Sequence, residues 1–230
     1  MLGLLVILVI SGLLLHFVEK TNLEALGLIP TKKRLKQFVL GLGLIVVINL
    51  ITIGIGTYLK SIDWQFTGSD YQTFFKAAYY HLRSALTEDL IFRGALLYIL
   101  IQRLGAKWAL VVAAICFGVY HVFSYDMNKN NIIPIIYVIL VTGFTGYVWA
   151  FIFYKTKSIA LGLGLHFGYN LFMSCIYPSV PYGELLFGIT DQLELSEWQQ
   201  FYYALFTGFF PTILTLALIK VYFRFQYNNE

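Results

Sequence analysis

Charged residues are scarce in this 230-residue chain: 12% are Asp, Glu, Lys or Arg, whereas 59% are hydrophobic. A soluble globular domain carries about 25% charged residues. The composition therefore excludes an ordinary soluble protein and predicts an integral membrane protein. The length fits one membrane domain over residues 1–230 without a sizeable soluble appendage. Because no long run of basic residues is present, we expect no nucleic acid partner.

Cysteine is almost absent, and so are the usual signals of metal binding or secretion. The two cysteines, Cys116 and Cys175, lie in apolar stretches, where we expect small buried hydrophobic residues and not a disulfide or a metal ligand. The chain lacks an H-E-x-x-H motif and internal repeats. The first apolar run has no basic residues before it and no small-residue cleavage site, which favours a retained helix over a signal peptide.

Long apolar runs predict an all-α bundle of about seven transmembrane helices, each near or above the roughly 17–25 residues that span a bilayer. The predicted helices are 2–18, 37–59, 74–104, 106–125, 132–154, 158–177 and 198–224. Three glycines in the sixth, Gly162, Gly164 and Gly168, favour close helix contact. Pro211 predicts a kink in the seventh.

The basic residues are distributed unequally between the two ends of these helices. Three of them, Lys60, Lys76 and Lys129, fall on one side. Eleven fall on the other: Lys20, Lys32, Lys33, Arg34, Lys36, Arg103, Lys107, Lys155, Lys157, Lys220 and Arg224. Cytoplasmic loops carry the excess of lysine and arginine, so we expect the N-terminus outside and the C-terminus in the cytoplasm. Abundant Ile and Tyr, with more Lys than Arg, point to a bacterial plasma membrane.

Two carboxylates and a guanidinium group lie close together within the third helix, those of Glu88, Asp89 and Arg93. Ionisable residues inside a membrane usually face the protein interior and carry function. Asp89 precedes Arg93 by four residues, the favoured order for an ion pair on a helix. Glu88 points about 100° away from Asp89. A poorly solvated glutamate suits the role of a general base near neutral pH.

Two further polar pairs follow on later helices. His121 lies one turn after Phe117 on the fourth helix, and His166 and Asn170 share one face of the sixth. Taken singly, these residues also fit structural roles, as a buried core histidine or as interhelical hydrogen bonds. Taken together, they predict one polar intramembrane site between helices 3, 4 and 6, within a motif-bearing core of about residues 74–177.

The order of these motifs resembles that of the CPBP intramembrane proteases, a family that includes prenyl-protein (CAAX) endopeptidases and bacterial bacteriocin-processing or self-immunity proteins. The family pattern is E-E-x-x-x-R, then F-x-x-x-H, then H-x-x-x-N. The matching residues here are Glu88, Asp89 and Arg93, then Phe117 and His121, then His166 and Asn170. One position departs, because Asp89 replaces the second glutamate with a side chain shorter by one methylene.

The resemblance implies an intramembrane endopeptidase. In that family role, Glu88 activates water with help from His121, while His166 and Asn170 stabilise the oxyanion. Asp89 and Arg93 form a supporting ion pair, which the shorter Asp89 still permits. The substrate is expected to be a membrane-associated peptide or a lipid-anchored protein. In a bacterium, peptide processing is favoured over prenyl-protein processing.

Alternatives stay open at this point. The family has also been described as metal-dependent, and Glu88, His121 and His166 are a plausible zinc ligand set; direct glutamate catalysis without a cofactor is preferred. A non-catalytic membrane regulator of the same fold is kept open by Asp89. A small transporter would also bury Glu, His and Arg, but it commonly shows inverted repeats. The predicted topology places the site in the outer half of the bilayer.

Overall fold

Long apolar helices form most of the chain, because a backbone within a bilayer must satisfy its hydrogen-bonding groups inside its own helix. The computed structural model describes residues 2–127 and 131–227. Within them the α-helices are α1 Leu2–Glu19, α2 Lys32–Lys60, α3 Tyr71–Arg93, α4 Ala95–Ser124, α5 Ile132–Thr156, α6 Ala160–Ser174 and α7 Glu197–Tyr227. A 3-10 turn spans Leu23–Leu26, and two short strands are β1 Asp63–Phe66 and β2 Phe187–Asp191. The all-α membrane class is confirmed.

Five helical segments among the described residues are long and apolar enough to cross a membrane. One of them, Tyr71–Ser124, has 54 residues and contains both α3 and α4. α6 has 15 residues, fewer than the roughly 20 that a perpendicular span needs. The count of seven membrane crossings is therefore not confirmed and stays a prediction. Lys129, one of the three basic residues expected on the outer side, lies outside the described residues.

The third helix is shorter than predicted, and the expectation of one continuous helix over residues 74–104 was wrong. α3 ends at Arg93, and Gly94 follows with φ −91° and ψ −136°. A Cβ atom on Gly94 would overlap the carbonyl oxygen of Leu90, so only glycine fits at the break. Gly105, with φ 74° and ψ 159°, forms a second interruption inside α4. The boundary between the predicted third helix, 74–104, and the predicted fourth helix, 106–125, lies at this second interruption.

By its contacts the chain divides into two compact units, and the prediction of a single domain stays a prediction. The first unit contains Met1–Val39 and Leu86–Leu163. Its buried core is made of side chains from α1, the 3-10 turn, α3, α4 and α5, including Leu15, Leu26, Leu90, Leu97, Leu110 and Phe153. Burial of aliphatic and aromatic residues from separate helices ties these elements into one packed body.

Helices α4 and α5 of this unit touch backbone to backbone at Gly118. A Cβ atom on Gly118 would lie 2.6 Å from the carbonyl oxygen of Ile139 and 3.3 Å from the Cα of Gly143. Small residues permit such close approach between membrane helices. The contact lies directly after Phe117, so it fixes the height of that side chain against α5.

The second unit contains Leu40–Ala85 and Gly164–Glu230. Here α6 packs on α2, and a Cβ atom on Gly168 would lie 2.6 Å from Cγ2 of Ile45. β1 and β2 pair as an antiparallel two-stranded sheet. The sequence did not predict these strands, because four and five residues are too few for an alternation of polar and apolar residues to stand out.

Gly118→Ala should lower the melting temperature of the purified protein by several degrees, because the added methyl group must displace the main chain of α5. Overpacking of this kind typically costs about 1–3 kcal/mol. Thermal unfolding in one detergent measures the effect. Gly43→Ala is the matched control, since a Cβ atom there meets nothing within 4 Å. Equal melting of all three proteins would contradict the close contact.

Candidate active site

A buried ion pair lies at the C-terminal end of α3. Arg93 Nη1 donates a hydrogen bond to Asp89 Oδ1 across 2.6 Å, and the two side chains are only 3% and 1% exposed. Their spacing of four residues places both on one face of the helix, as the sequence predicted. A buried charge is stable only when it is paired and hydrogen-bonded, so each member of the pair makes the other tolerable.

Two aromatic rings cover the guanidinium group of Arg93. Its central carbon lies 4.1 Å from the ring centre of Phe117 on α4 and 4.8 Å from that of Trp149 on α5. Arg93 Nε and Nη2 make no hydrogen bond within the described residues, and the electron-rich ring faces provide favourable cation–π contacts in their place. We call Asp89, Arg93, Phe117 and Trp149 the arginine cage; it joins α3, α4 and α5.

Glu88 and His121 approach each other beside the cage. The distance from Glu88 Oε2 to His121 Nε2 is 3.9 Å, and the two side chains are 15% and 10% exposed. The Nδ1–H of His121 donates to the carbonyl oxygen of Phe117 across 2.8 Å. Because a carbonyl oxygen only accepts, this bond leaves Nε2 of the neutral imidazole with its lone pair, on the side of Glu88. The carboxylate of Glu88 and the imidazole of His121, which can both bind and release protons, therefore lie close together.

Aromatic rings surround His121. Its ring centre lies 4.4 Å from that of Phe117, 5.2 Å from that of Tyr120 and 5.1 Å from that of Tyr125. Phe92 extends this wall by packing against Phe117 and Tyr120, each at 5.1 Å. A wall of this kind excludes water and lowers the local dielectric constant, which strengthens the interaction between the carboxylate and the imidazole.

The third predicted motif lies in the second unit, on α6. His166 is buried and Asn170 is half-buried. In the same unit, His81 of α3 is also buried; its Nε2 lies 3.1 Å from the carbonyl oxygen of Pro181, and its ring interacts electrostatically with His166. The common polar face that the spacing of His166 and Asn170 predicts on α6 stays a prediction.

The structure thus brings five of the predicted residues together in the first unit: Glu88, Asp89, Arg93, Phe117 and His121. His166 and Asn170 belong to the second unit, so a common site of all three helices stays a prediction. The sequence did not single out Trp149. Its contact with Arg93 joins two helices that are far apart in the chain, and spacing along one helix gives no signal for such a contact.

The zinc alternative, with Glu88, His121 and His166 as ligands, stays a prediction, because His166 lies in the second unit and the other two residues lie in the first. Within residues 2–127 and 131–227, no group of three or more His, Cys, Asp or Glu residues is placed to hold a metal ion. A catalytic zinc needs about three protein ligands and an open position. The steps below are assigned to side chains. Both cysteines are free thiols, and Cys116 is exposed, not buried as expected.

The match to known proteins covers the same region as the motifs. Residues 70–172 match the family model described as type II CAAX prenyl endopeptidase Rce1-like. All three motifs fall inside this match, which covers a little less than half of the chain. This match is consistent with the CPBP family, whose motif order the sequence resembles. Comparison with the curated proteins and with the solved structures found no match.

The one departure from the CPBP pattern is compatible with its supporting ion pair. Asp89, in place of the family's second glutamate, still reaches Arg93 at 2.6 Å. The family match indicates intramembrane proteolysis as the class of activity. The arginine cage adds Trp149 to the residues that the three motifs name.

Asp89→Ala should destabilise the protein strongly, because it leaves the buried Arg93 without its carboxylate. Breaking a buried pair costs about 3–5 kcal/mol. Asp89→Glu, the family's usual residue, should melt close to the wild type. Glu19→Ala is the control: it removes the pair with Arg103, whose side chain is 59% exposed, and such pairs contribute about 0–1 kcal/mol. Similar melting temperatures for Asp89→Ala and Glu19→Ala would show that the buried pair contributes little.

Proposed function

We propose that the protein is an intramembrane endopeptidase, which hydrolyses a peptide bond of a membrane-associated peptide or a lipid-anchored protein. The observation that carries the proposal is the approach of Glu88 Oε2 to His121 Nε2 at 3.9 Å, in a part of the chain that matches the Rce1-like family. A carboxylate and an imidazole that lie close together and are lined by aromatic rings are suited to general-base catalysis.

Glu88 is the general base that activates water. One water molecule hydrogen-bonded to both Glu88 Oε2 and His121 Nε2 loses a proton to the carboxylate as its oxygen attacks the carbonyl carbon of the substrate. His121 accepts the second hydrogen of this water and so orients the attacking lone pair. When the tetrahedral intermediate collapses, the C–N bond breaks and Glu88 returns its proton to the leaving nitrogen. The products are a carboxylic acid and an amine, with no cofactor consumed.

His166 and Asn170 are assigned to the oxyanion. An imidazole N–H and an amide N–H both donate to the negative oxygen that forms in the intermediate, and removal of one such donor typically lowers kcat by about 10²–10³-fold. Their support is the polar face predicted on α6, with His166 buried and Asn170 half-buried, and their place within the matched residues.

The arginine cage positions the base and does not react. Asp89 and Arg93 follow Glu88 on α3, and the rings of Phe117 and Trp149 hold the guanidinium against α4 and α5. His121 hydrogen-bonds the carbonyl oxygen of Phe117. The cage therefore determines where both members of the Glu88–His121 pair lie.

The membrane setting is proposed from the charge pattern. The excess of basic residues on one side assigns that side to the cytoplasm, with the N-terminus outside, in a bacterial plasma membrane. The site then lies in the outer half of the bilayer, where substrates arrive from the outer face or laterally through lipid. Peptides are favoured over prenylated proteins as substrates in that setting.

Glu88→Gln should abolish cleavage and leave the protein folded, since it removes the base and keeps the side-chain shape. General-base catalysis contributes about 10²–10⁴-fold. Purified proteins in detergent are incubated with a mixed peptide library, and new termini are identified by mass spectrometry. Glu24→Gln, an exposed glutamate, should cleave as the wild type does. Wild-type turnover by Glu88→Gln would refute the glutamate mechanism; a wild-type protein that cleaves nothing favours the non-catalytic regulator.

Metal content separates the two catalytic routes. If Glu88 activates water directly, active protein should contain far less than one zinc ion per chain, and a strong chelator should leave turnover unchanged. Elemental analysis and activity are measured on the same preparation, before and after chelation. Stoichiometric zinc that is lost in His121→Ala, together with inhibition by the chelator, would establish the metal-dependent route.

A further inference from the structure

The second unit carries a two-stranded ribbon in which three of the four residues of β1 are exposed. β1 and β2 pair in antiparallel register, with Trp64 opposite Ile189 and Phe66 opposite Phe187. Each strand of a two-stranded sheet keeps one row of backbone N–H and C=O groups that the sheet itself does not use. Such an edge is a template for another extended chain.

The ribbon is fastened to the end of α6, the helix of His166 and Asn170. The N–H of Leu185 donates to the carbonyl oxygen of Ser174 at 3.0 Å, and the N–H of Phe187 donates to that of Cys175 at 3.0 Å. The start of β2 therefore lies next to the C-terminal end of α6 in space. Ser174 follows His166 by about two turns, or ~12 Å along the helix axis. An extended peptide covers this distance with about four residues.

Negative charge is concentrated around the ribbon. Residues 60–76 and 178–197 contain six acidic and two basic side chains, a net charge of −4, although the whole chain is +4. Asp63 and Asp191 are partners in the strand register, beside a register shift between Asp63 and Trp64, and both are exposed. Like charges placed opposite each other destabilise a sheet. In the part of the chain that the structure describes, neither aspartate forms an ion pair.

Lys60, three residues before Asp63 in the chain, interacts with other groups. Lys60 Nζ donates to Gln192 Oε1 at 2.7 Å and lies 5.3 Å from the ring centre of Tyr203. At the other end of the ribbon, Phe66 and Phe187 are 67% and 40% exposed, with ring centres 5.6 Å apart. The ribbon therefore offers a negative end and an apolar end, with the apolar end at α6.

We propose that the outer edge of β1 binds the peptide substrate as an added strand, because the backbone of β2 is already hydrogen-bonded to Cys175 at Phe187, and that Asp63 and Asp191 select lysine or arginine in this substrate. The Phe66–Phe187 rings contact apolar side chains between this basic segment and the scissile bond, which lies at least about four residues away. The proposal rests on the proposed function for its substrate, but binding at the ribbon requires no cleavage.

The test measures binding of a fluorescent peptide of alternating lysine and valine to the purified full-length protein in non-ionic detergent at low salt, by fluorescence anisotropy. The peptide should bind, and its counterpart with glutamate in place of lysine should not. Asp63→Asn/Asp191→Asn should weaken binding about tenfold. Glu194→Gln/Glu197→Gln removes the same net charge outside the strands and should change affinity much less.

Backbone methylation tests the added strand itself. Two further peptides carry N-methyl groups on every lysine or on every valine, so charge is kept while one row of N–H donors is lost. At least one of them should lose binding, because edge pairing uses alternate residues. Equal binding of all three lysine peptides would overturn strand addition. Equal weakening by the two double variants would overturn selection by Asp63 and Asp191. Either result leaves the Glu88→Gln cleavage test unaffected.

Discussion

The structure depends on the placement of one guanidinium group among apolar helices. A charged side chain in this setting is tolerated only if its charge and its hydrogen-bonding groups are met by protein. Asp89 meets the charge of Arg93 at 2.6 Å, and the rings of Phe117 and Trp149 cover its faces. These partners come from α3, α4 and α5. The need to neutralise and cover the guanidinium group of Arg93 therefore fixes the positions of three helices.

The helix ends around the cage follow from the same packing. α3 stops at Arg93, and Gly94 allows the chain to pass so close to Leu90 that no side chain fits. α4 and α5 approach backbone to backbone at Gly118, directly after Phe117. His121, one turn further along α4, then points Nε2 to Glu88 and holds the Phe117 carbonyl oxygen with Nδ1. The geometry of the candidate base pair is thus a consequence of how Arg93 is buried.

Relations within one helix were predictable from the sequence, and relations between distant segments were not. The Asp89–Arg93 pair and the shared face of His166 and Asn170 follow from a period of 3.6 residues. Trp149 and the β1–β2 ribbon depend on contacts across the chain, and strands of four and five residues are too short to reveal alternation. Gly105 was readable as an interruption between two apolar runs. Gly94 was not, because only the crowding by the Leu90 carbonyl oxygen distinguishes it from a glycine inside a helix.

A double-mutant cycle between Asp89→Asn and Arg93→Met tests the central claim most directly. Unfolding in detergent is measured for the wild type, both single variants and the double variant. If the cage is organised around this pair, each single change leaves a buried polar group without its partner. The double variant should then lose less free energy of unfolding than the sum of the two single losses. Coupling energies in contacting pairs reach about 0.5–3 kcal/mol, and we expect the upper part of that range. Additive losses would show that Asp89 and Arg93 do not depend on each other and would contradict the account.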